Sequence, residues 1–285
     1  MLYEDTALLV VAKPAGMVTH PAYKHPDDTL ADAIFARQTA RGEGRPWLLH
    51  RLDRDTSGVM LFAKTMPARR SLVRQFERHS VRKLYLAVIA LHNGASLVCD
   101  GGWGELNAPL RRDPADRRRV IVAPDGQSAT TRYRLLATTP ACVIADRCAD
   151  PAMTLAVRGT VEAFGLALVA PMTGRTHQIR AHFAAASAPL LGDTTYLPED
   201  SPLAGVAPRG MLHAWLFTCR YPGTGAPFSI CASPPDDLLA LIERLELSAG
   251  IAADTLAHAL AGLGATEGEQ VQHSCATTGS SEPVQ

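Results

Sequence analysis

No apolar run in the chain approaches the ~20 residues needed to span a bilayer. The short apolar stretch at 7–12 follows Glu4 and Asp5 and stops at Lys13, which makes it a poor signal peptide. A cytoplasmic protein without a membrane partner is the expectation. No C-x-x-C pair occurs either. The six cysteines (Cys99, Cys142, Cys148, Cys219, Cys231, Cys275) are scattered, which argues against a structural zinc site and against a secreted disulfide framework. There is no internal repeat and no regular βαβ alternation. Nor is there a surplus of one charge: 28 basic and 28 acidic residues leave a formal net charge of zero. The totals therefore do not describe a generally cationic nucleic-acid binder.

What is present is an ordinary globular composition, 47% apolar and 20% charged, with 22 glycines and 20 prolines that imply many turns and a strand-rich domain. The charge is unevenly spread. Between positions 64 and 83 stand Lys64, Arg69, Arg70, Arg74, Arg78, Arg82 and Lys83 against Glu77 alone. A second cluster, Arg111, Arg112, Arg117, Arg118 and Arg119, is relieved only by Asp113 and Asp116. Local charge governs electrostatic attraction more than the net value does.

The pattern predicts a strand over 7–12, a Pro-Gly turn at 13–16, and a helix capped by Asp28 or Thr29 that runs through Leu30 and Ile34 to near Gly42. The polar stretch 50–58 lies between apolar Trp47-Leu48-Leu49 and a strand at 59–63, so it reads as a loop held by buried segments, a common setting for catalytic groups. Thr65 caps a helix entered through Pro67, with Leu72, Val73 and Phe76 on its apolar side. Arg70, Arg74 and Arg78 share another face, which is either a solvated surface or a track for phosphates. Strands follow at 84–91, 128–136 and 166–170, then a turn at 171–174, a helix at 175–186 and a strand near 211–219. A last helix at 238–247 opens on a cap, prolines and acids at 233–237. The class is α+β. Residues 1–247 are expected to form one catalytic domain, and 248–285 a tail that is disordered beyond about 264.

Two polar segments carry chemistry. HRLDRDTSG at 50–58 concentrates an imidazole, guanidiniums, carboxylates and hydroxyls, and GRTHQIRAH at 174–182 lies over a hundred residues downstream. A salt-bridged structural loop has the same composition. Both segments are flanked by core-like runs, however, so the fold can bring a carboxylate of one to an arginine of the other as an oriented pair.

HRLDRDTSGVMLFAKT resembles the signature loop of RluA-type pseudouridine synthases, which modify ribosomal and transfer RNA. LLVVAKPAGMVTHP resembles that family's N-terminal motif, RKLYLAVI its tyrosine strand, GRTHQIRAHF with GDTTY its arginine motif, and MLHAWLF its closing strand. All run in the family's order over roughly residues 5 to 235. The resemblance implies a pseudouridine synthase fold, a mixed and largely antiparallel sheet flanked by helices and loops around a central cleft. It implies isomerisation of uridine in structured RNA, with neither cofactor nor metal. Its catalytic aspartate falls on Asp53 rather than Asp55, its tyrosine on Tyr85, and its aspartate-pairing arginine on Arg180 rather than Arg175. Arg51 falls where this branch contacts RNA around the flipped nucleotide. RNA contacts are also expected from His50, Thr56, Arg70, Arg74, Arg78, Lys83, Arg175, His177 and Gln178. GMVTHPAYKHPDDTL leans toward the ribosomal members. A monomer with RNA as its partner is the expectation, without an N-terminal S4-type domain. The stretch 141–159 is longer than a compact member needs and reads as a surface insertion.

Three other readings stay open on the residues. A metal-dependent hydrolase would draw on His50, Asp53, His177, His182 and Asp193, although His177 and His182 diverge by about 140° around a helix. A glycoside hydrolase would use Asp53 and Asp55, which are too near in sequence to flank a sugar easily. A binding protein without catalysis would more often have lost one of Asp53, Tyr85 and Arg180.

Overall fold

The computed structural model describes residues 1–21, 25–97, 101–147, 161–252 and 256. In chain order these form β1 (Tyr3–Glu4), β2 (Leu8–Lys13), α1 (Leu30–Ala40), β3 (Trp47–Leu48), β4 (Ser57–Ala63), α2 (Met66–Glu77), β5 (Arg82–His92), β6 (Gly104–Asn107), β7 (Leu110–Arg112), β8 (Val120–Val122), β9 (Thr130–Pro140), α3 (Ala141–Arg147), β10 (Val161–Pro171), α4 (Gln178–Ala185), β11 (Leu212–Arg220), β12 (Pro227–Cys231) and α5 (Asp236–Arg244). The α+β class follows from this order.

One sheet runs β1-β2-β4-β11-β5-β10-β9-β6, with β3 added on β4 and β12 on β11. Its pairings are antiparallel except β4 with β11, which is parallel. Central strands β5 and β10 are apolar along nearly their whole length because both of their faces are covered. In β4, alternate residues separate the two sides. Met60 and Phe62 pack with Leu52, Tyr85, the α1 residues Leu30 and Ile34, and the α4 residues Ile179 and Phe183. Val59, Leu61 and Ala63 pack with Ala68 and Leu72 of α2. Thus α1 and α4 flank one face, and α2 lies on the other. Helix α5 packs through Leu238, Leu241 and Ile242 against a further cluster that includes Leu84, Leu86 and Trp215. None of the helices among the described residues is long and apolar enough to cross a membrane.

Sequence signals explain most boundaries. Thr29 caps α1 and forms a reciprocal capping box with Asp32, and Thr65 caps α2 ahead of Pro67. Gly58 has φ +121°, and a Cβ there would collide with the backbone of Ala214 on the parallel strand β11. Only glycine lets the two strands close at the point where the polar loop enters the sheet.

Some expectations need correction. The helix expected from 175 begins at Gln178, because His177 takes a left-handed conformation (φ 52°) and keeps 175–177 in a turn. Helix α5 starts after Pro235 without a side-chain cap. The hairpin β7–β8 was not foreseen, its strands being short and interrupted by arginines. Most of the suspected insertion at 141–159, and the tail beyond 264, lie outside the described residues. Residues Ser248–Ile251 form a short 3-10 turn whose Gly250 packs against Leu166, Ala137 and Leu136.

Candidate active site

The loop carrying Asp53 is fastened by its own backbone. Four successive carbonyls each accept a hydrogen bond: Leu52 from Thr19 Oγ1 (2.7 Å), Asp53 from the Thr56 N–H (3.2 Å), Arg54 from Lys13 Nζ (2.9 Å) and Asp55 from Arg209 Nη1 (3.0 Å). Leu52 also inserts its side chain into the core beside Tyr85. Lys13 is almost wholly buried and donates as well to the carbonyls of Pro14 (2.9 Å) and Met17 (2.8 Å). Burial pulls its ammonium down to about 8, while the charges of Asp55 and Asp53 work in the opposite direction. Arg209 is oriented by Asp237 (Nε to Oδ2, 2.7 Å) and also donates to the carbonyl of Leu212 (3.2 Å). An unsatisfied buried carbonyl is costly, so each anchor removes an alternative path for the loop.

Opposite this loop, the first turn of α4 delivers Arg180. Its guanidinium grips Asp193 bidentately (Nε to Oδ2, 2.6 Å; Nη2 to Oδ1, 2.7 Å), and Nη1 reaches Asp53 Oδ2 at 3.4 Å. Burial opposes its charge, but the hydrogen bonds and charge of Asp193 outweigh that and raise its pKa, with Asp53 adding to the effect. Asp193 has a side-chain exposure of only 1%, and Arg180 also lies over the ring of Tyr196 at 5.1 Å. His177 Nε2 stands 3.8 Å from Asp53 Oδ2 and its Nδ1 3.2 Å from Tyr196 Oη. Burial depresses the His177 pKa; Asp53 opposes this and Arg180 adds to it. Tyr85 on β5 lies at the same face, its phenol pKa pushed up by burial and then by the Asp53 charge.

The structure therefore brings Asp53, Arg180, His177 and Tyr85 together, with Arg51 exposed on the same loop and close enough to His177 to act on its charge. Arg175 is exposed at the turn before α4 and donates from Nε to the Ser128 carbonyl at 3.1 Å.

Several expected RNA contacts are placed elsewhere. Gln178 is buried: its Oε1 accepts from Thr173 Oγ1 (2.7 Å) and the Arg175 N–H (3.0 Å), and its Nε2 donates to the Thr130 carbonyl (2.9 Å) and Thr131 Oγ1 (2.9 Å). It staples the turn to β9 and has no capacity left for a ligand. Gln178→Leu should lower stability by about 2–4 kcal/mol, since buried partners are left unmet, and denaturant unfolding measures this. Thr56 is likewise buried and closes the Asp53 turn. His50 is wedged where β4 and β11 part: it accepts the Leu61 N–H (3.2 Å), stacks on Phe217 at 5.4 Å, and is lowered to about 3 by burial. Lys83 pairs in register with Phe217, and burial lowers its pKa. Arg70, Arg74 and Arg78 are exposed, but they belong to or adjoin α2, across the sheet from Tyr85.

Of the residues a hydrolase would need, Asp53, His177 and Asp193 gather around Arg180, whereas His50 and His182 are engaged elsewhere. His182 is engaged with Thr131 Oγ1 (2.9 Å) and the Ala108 carbonyl (3.0 Å), and Asp55 pairs with Arg54 at 3.0 Å on the surface. Among the described residues, no three His, Cys, Asp or Glu side chains are grouped to hold a metal ion.

The sequence profile of RNA pseudouridylate synthases matches residues 7–185, well over half of the chain. The chain belongs to the RNA pseudouridylate synthase family. The family's matched segment contains Lys13, Asp53, Tyr85 and Arg180, while Asp193, Tyr196 and Arg209 lie beyond it. An uncharacterized RNA pseudouridine synthase of Chloroflexus aurantiacus is 38% identical over 237 residues, covering 82% of this chain, and the alignment spans 65% of that relative. A protein of Xanthomonas campestris named ribosomal large subunit pseudouridine synthase D is 35% identical over 89% of this chain and 71% of its own length. The solved structure of human RNA pseudouridylate synthase domain containing 1 shares the fold, with a TM-score of 0.64 at 23% identity over 91% of this chain and 93% of that one.

Sequence reasoning missed the anchors Lys13, Thr19 and Arg209 and the orienting role of Asp193. Lys13 and Asp193 stand inside motifs that resemble the family's, AKPAG and GDTTY. Arg209 has only a signal that appears after folding, a guanidinium buried beside loop carbonyls.

Proposed function

We propose that this chain isomerises uridine to pseudouridine in structured RNA, ribosomal RNA foremost. The observation that carries the reading is the placement of Asp53: a partly exposed carboxylate on a backbone-anchored loop, met by Arg180 and His177 and flanked by Tyr85. Membership in the family supports it, and the name of the Xanthomonas relative supports the ribosomal preference.

In this reaction the N1–C1′ bond of uridine breaks, the base turns within the site, and C5 bonds to C1′ while its hydrogen leaves as a proton and N1 takes one up. Atoms and electrons balance, so the step calls on no redox partner and no cofactor. Asp53 serves either by attacking C1′ or by taking the C2′ proton. Arg180 directs its carboxylate through a charge-assisted hydrogen bond. The raised pKa of Tyr85 keeps its phenol neutral, so we assign it an aromatic face for the uracil and a neutral hydroxyl rather than the role of a phenolate base.

The target must leave the base stack, at a cost of roughly a few kcal/mol. We assign the compensating grip to Arg51, exposed on the Asp53 loop, and to Arg175, exposed in the turn that leads into His177 and α4. Arg51→Ala and Arg175→Ala should each lower the slope of log affinity against log salt by about 1, whereas Arg74→Ala with Arg78→Ala should leave it unchanged. Filter binding across a salt series decides between the two faces. A cytoplasmic enzyme follows from an RNA substrate of this kind.

The direct test is release of tritium from RNA labelled at uridine C5, because C5 loses its hydrogen only when a new bond forms there. Release by the folded chain supports the reading. No release from any RNA fraction overturns it in favour of a binding protein.

A further inference from the structure

We propose that His177 is a positioning residue for Asp53, its ring held in the Nε2–H tautomer by Tyr196.

The ring is placed by an uncommon backbone. His177 has φ 52°, a region non-glycine residues enter rarely. It is kept there by Gln178, pinned to β9, and by the Ala181 N–H, which donates to the His177 carbonyl at 2.9 Å. The conformation sets the ring between two groups, with Nδ1 3.2 Å from Tyr196 Oη and Nε2 3.8 Å from Asp53 Oδ2.

Counting donors assigns the proton. Tyr196 Oη accepts the Val120 N–H of β8 at 3.0 Å. Burial pushes its phenol up to about 12, so it keeps its own proton at neutral pH. If His177 carried its proton on Nδ1, Tyr196 would be offered two donors, while the lone pair of Nε2 would face the carboxylate of Asp53. If Tyr196 donates to Nδ1, the chain Val120 N–H to Tyr196, Tyr196 O–H to His177 and His177 Nε2–H toward Asp53 satisfies every member. Burial lowers the His177 pKa against the pull of Asp53, which favours the neutral ring that needs such an assignment. The last link is longer than a hydrogen bond, as catalytic contacts often are before substrate closes the site. Arg180 and His177 both approach Oδ2, which reserves Oδ1 for the sugar.

The first experiment needs no RNA and so does not depend on the synthase reading. In the full chain with ring-¹⁵N histidine, His177 should show a protonated Nε2 and a bare Nδ1, assigned by the signal lost in His177→Asn. Tyr196→Phe should shift the ring toward a mixture of tautomers. A wild-type ring protonated on Nδ1 overturns the proposal.

The second experiment uses tritium release. His177→Gln, whose amide reaches the place of Nε2, should keep kcat within about threefold, whereas the shorter His177→Asn should lose about 10- to 100-fold in kcat with little change in KM. Asparagine suits the left-handed backbone better than glutamine, so a merely structural role predicts the opposite order, and that order overturns the proposal. Wild-type inactivity would remove the synthase reading and leave the tautomer result standing.

Discussion

Replacing Asp53 with asparagine is expected to lower tritium release by about 10⁴-fold, the scale seen when a group acting in the chemical step is neutralised, while leaving the fold intact. The separation of the two effects follows from the site's construction. The loop is held through its carbonyls by Thr19, Thr56, Lys13 and Arg209, not through the Asp53 side chain. Arg180 keeps its bidentate partner Asp193 when Asp53 is neutralised. The asparagine variant therefore has no buried charge left alone, and its unfolding free energy should stay within about 1 kcal/mol of wild type. Tritium release and urea unfolding of the same preparation measure both quantities. Loss of stability on the scale of several kcal/mol would place Asp53 in the scaffold instead.

Asp193→Ala should give the reverse pairing of effects, with stability falling by about 2–4 kcal/mol because Arg180 loses both bonds of its bidentate partner and keeps only the longer contact with Asp53 at 3.4 Å. Against a typical total of about 5–15 kcal/mol, that is enough to threaten folding. Activity should fall as well, since Arg180 loses the partner that aims Nη1 at Asp53. Adding Arg180→Met removes the stranded charge and should restore part of the stability, less than all of it because the Thr195 N–H also donates to Asp193 Oδ1 at 3.1 Å. The double variant should remain inactive. Urea unfolding of both single variants and the double variant gives the coupling energy directly. A near-zero coupling would mean that the pair does not act as a unit.

What was legible in the sequence was what local chemistry encodes. Thr29 and Thr65 announce helices because a hydroxyl at the N-cap meets a free N–H, whatever the rest of the chain does. Asp53, Tyr85 and Arg180 were singled out because they stand in motifs that resemble a family's, and the fold sets them at one place. The RNA contacts were less so. Composition marks Gln178, His50 and Lys83 as polar, but only the fold shows the first used up on Thr130 and Thr131 and the other two folded in beside Phe217. The arginine row of α2 was correctly seen as one face of a helix. Which side of the sheet received that helix depended on the alternation within β4, a long-range fact. The extension of the turn before α4 as far as His177 escaped for a similar reason, since no local rule puts a histidine at φ 52°.

The four-carbonyl fastening of the Asp53 loop also bears on the order in which the site is made during synthesis. Two of its anchors, Lys13 and Thr19, precede the loop, but Arg209 follows it by more than 150 residues and is itself aimed by Asp237. A nascent chain that has emerged through Tyr196 thus carries Asp53, Tyr85, His177, Arg180 and Asp193 and still leaves the Asp55 carbonyl without its guanidinium. Domains fold as units as their last contacts become available. The Asp53 loop therefore has its last anchor only once β11 has paired with β5 and α5 has brought Asp237 to Arg209.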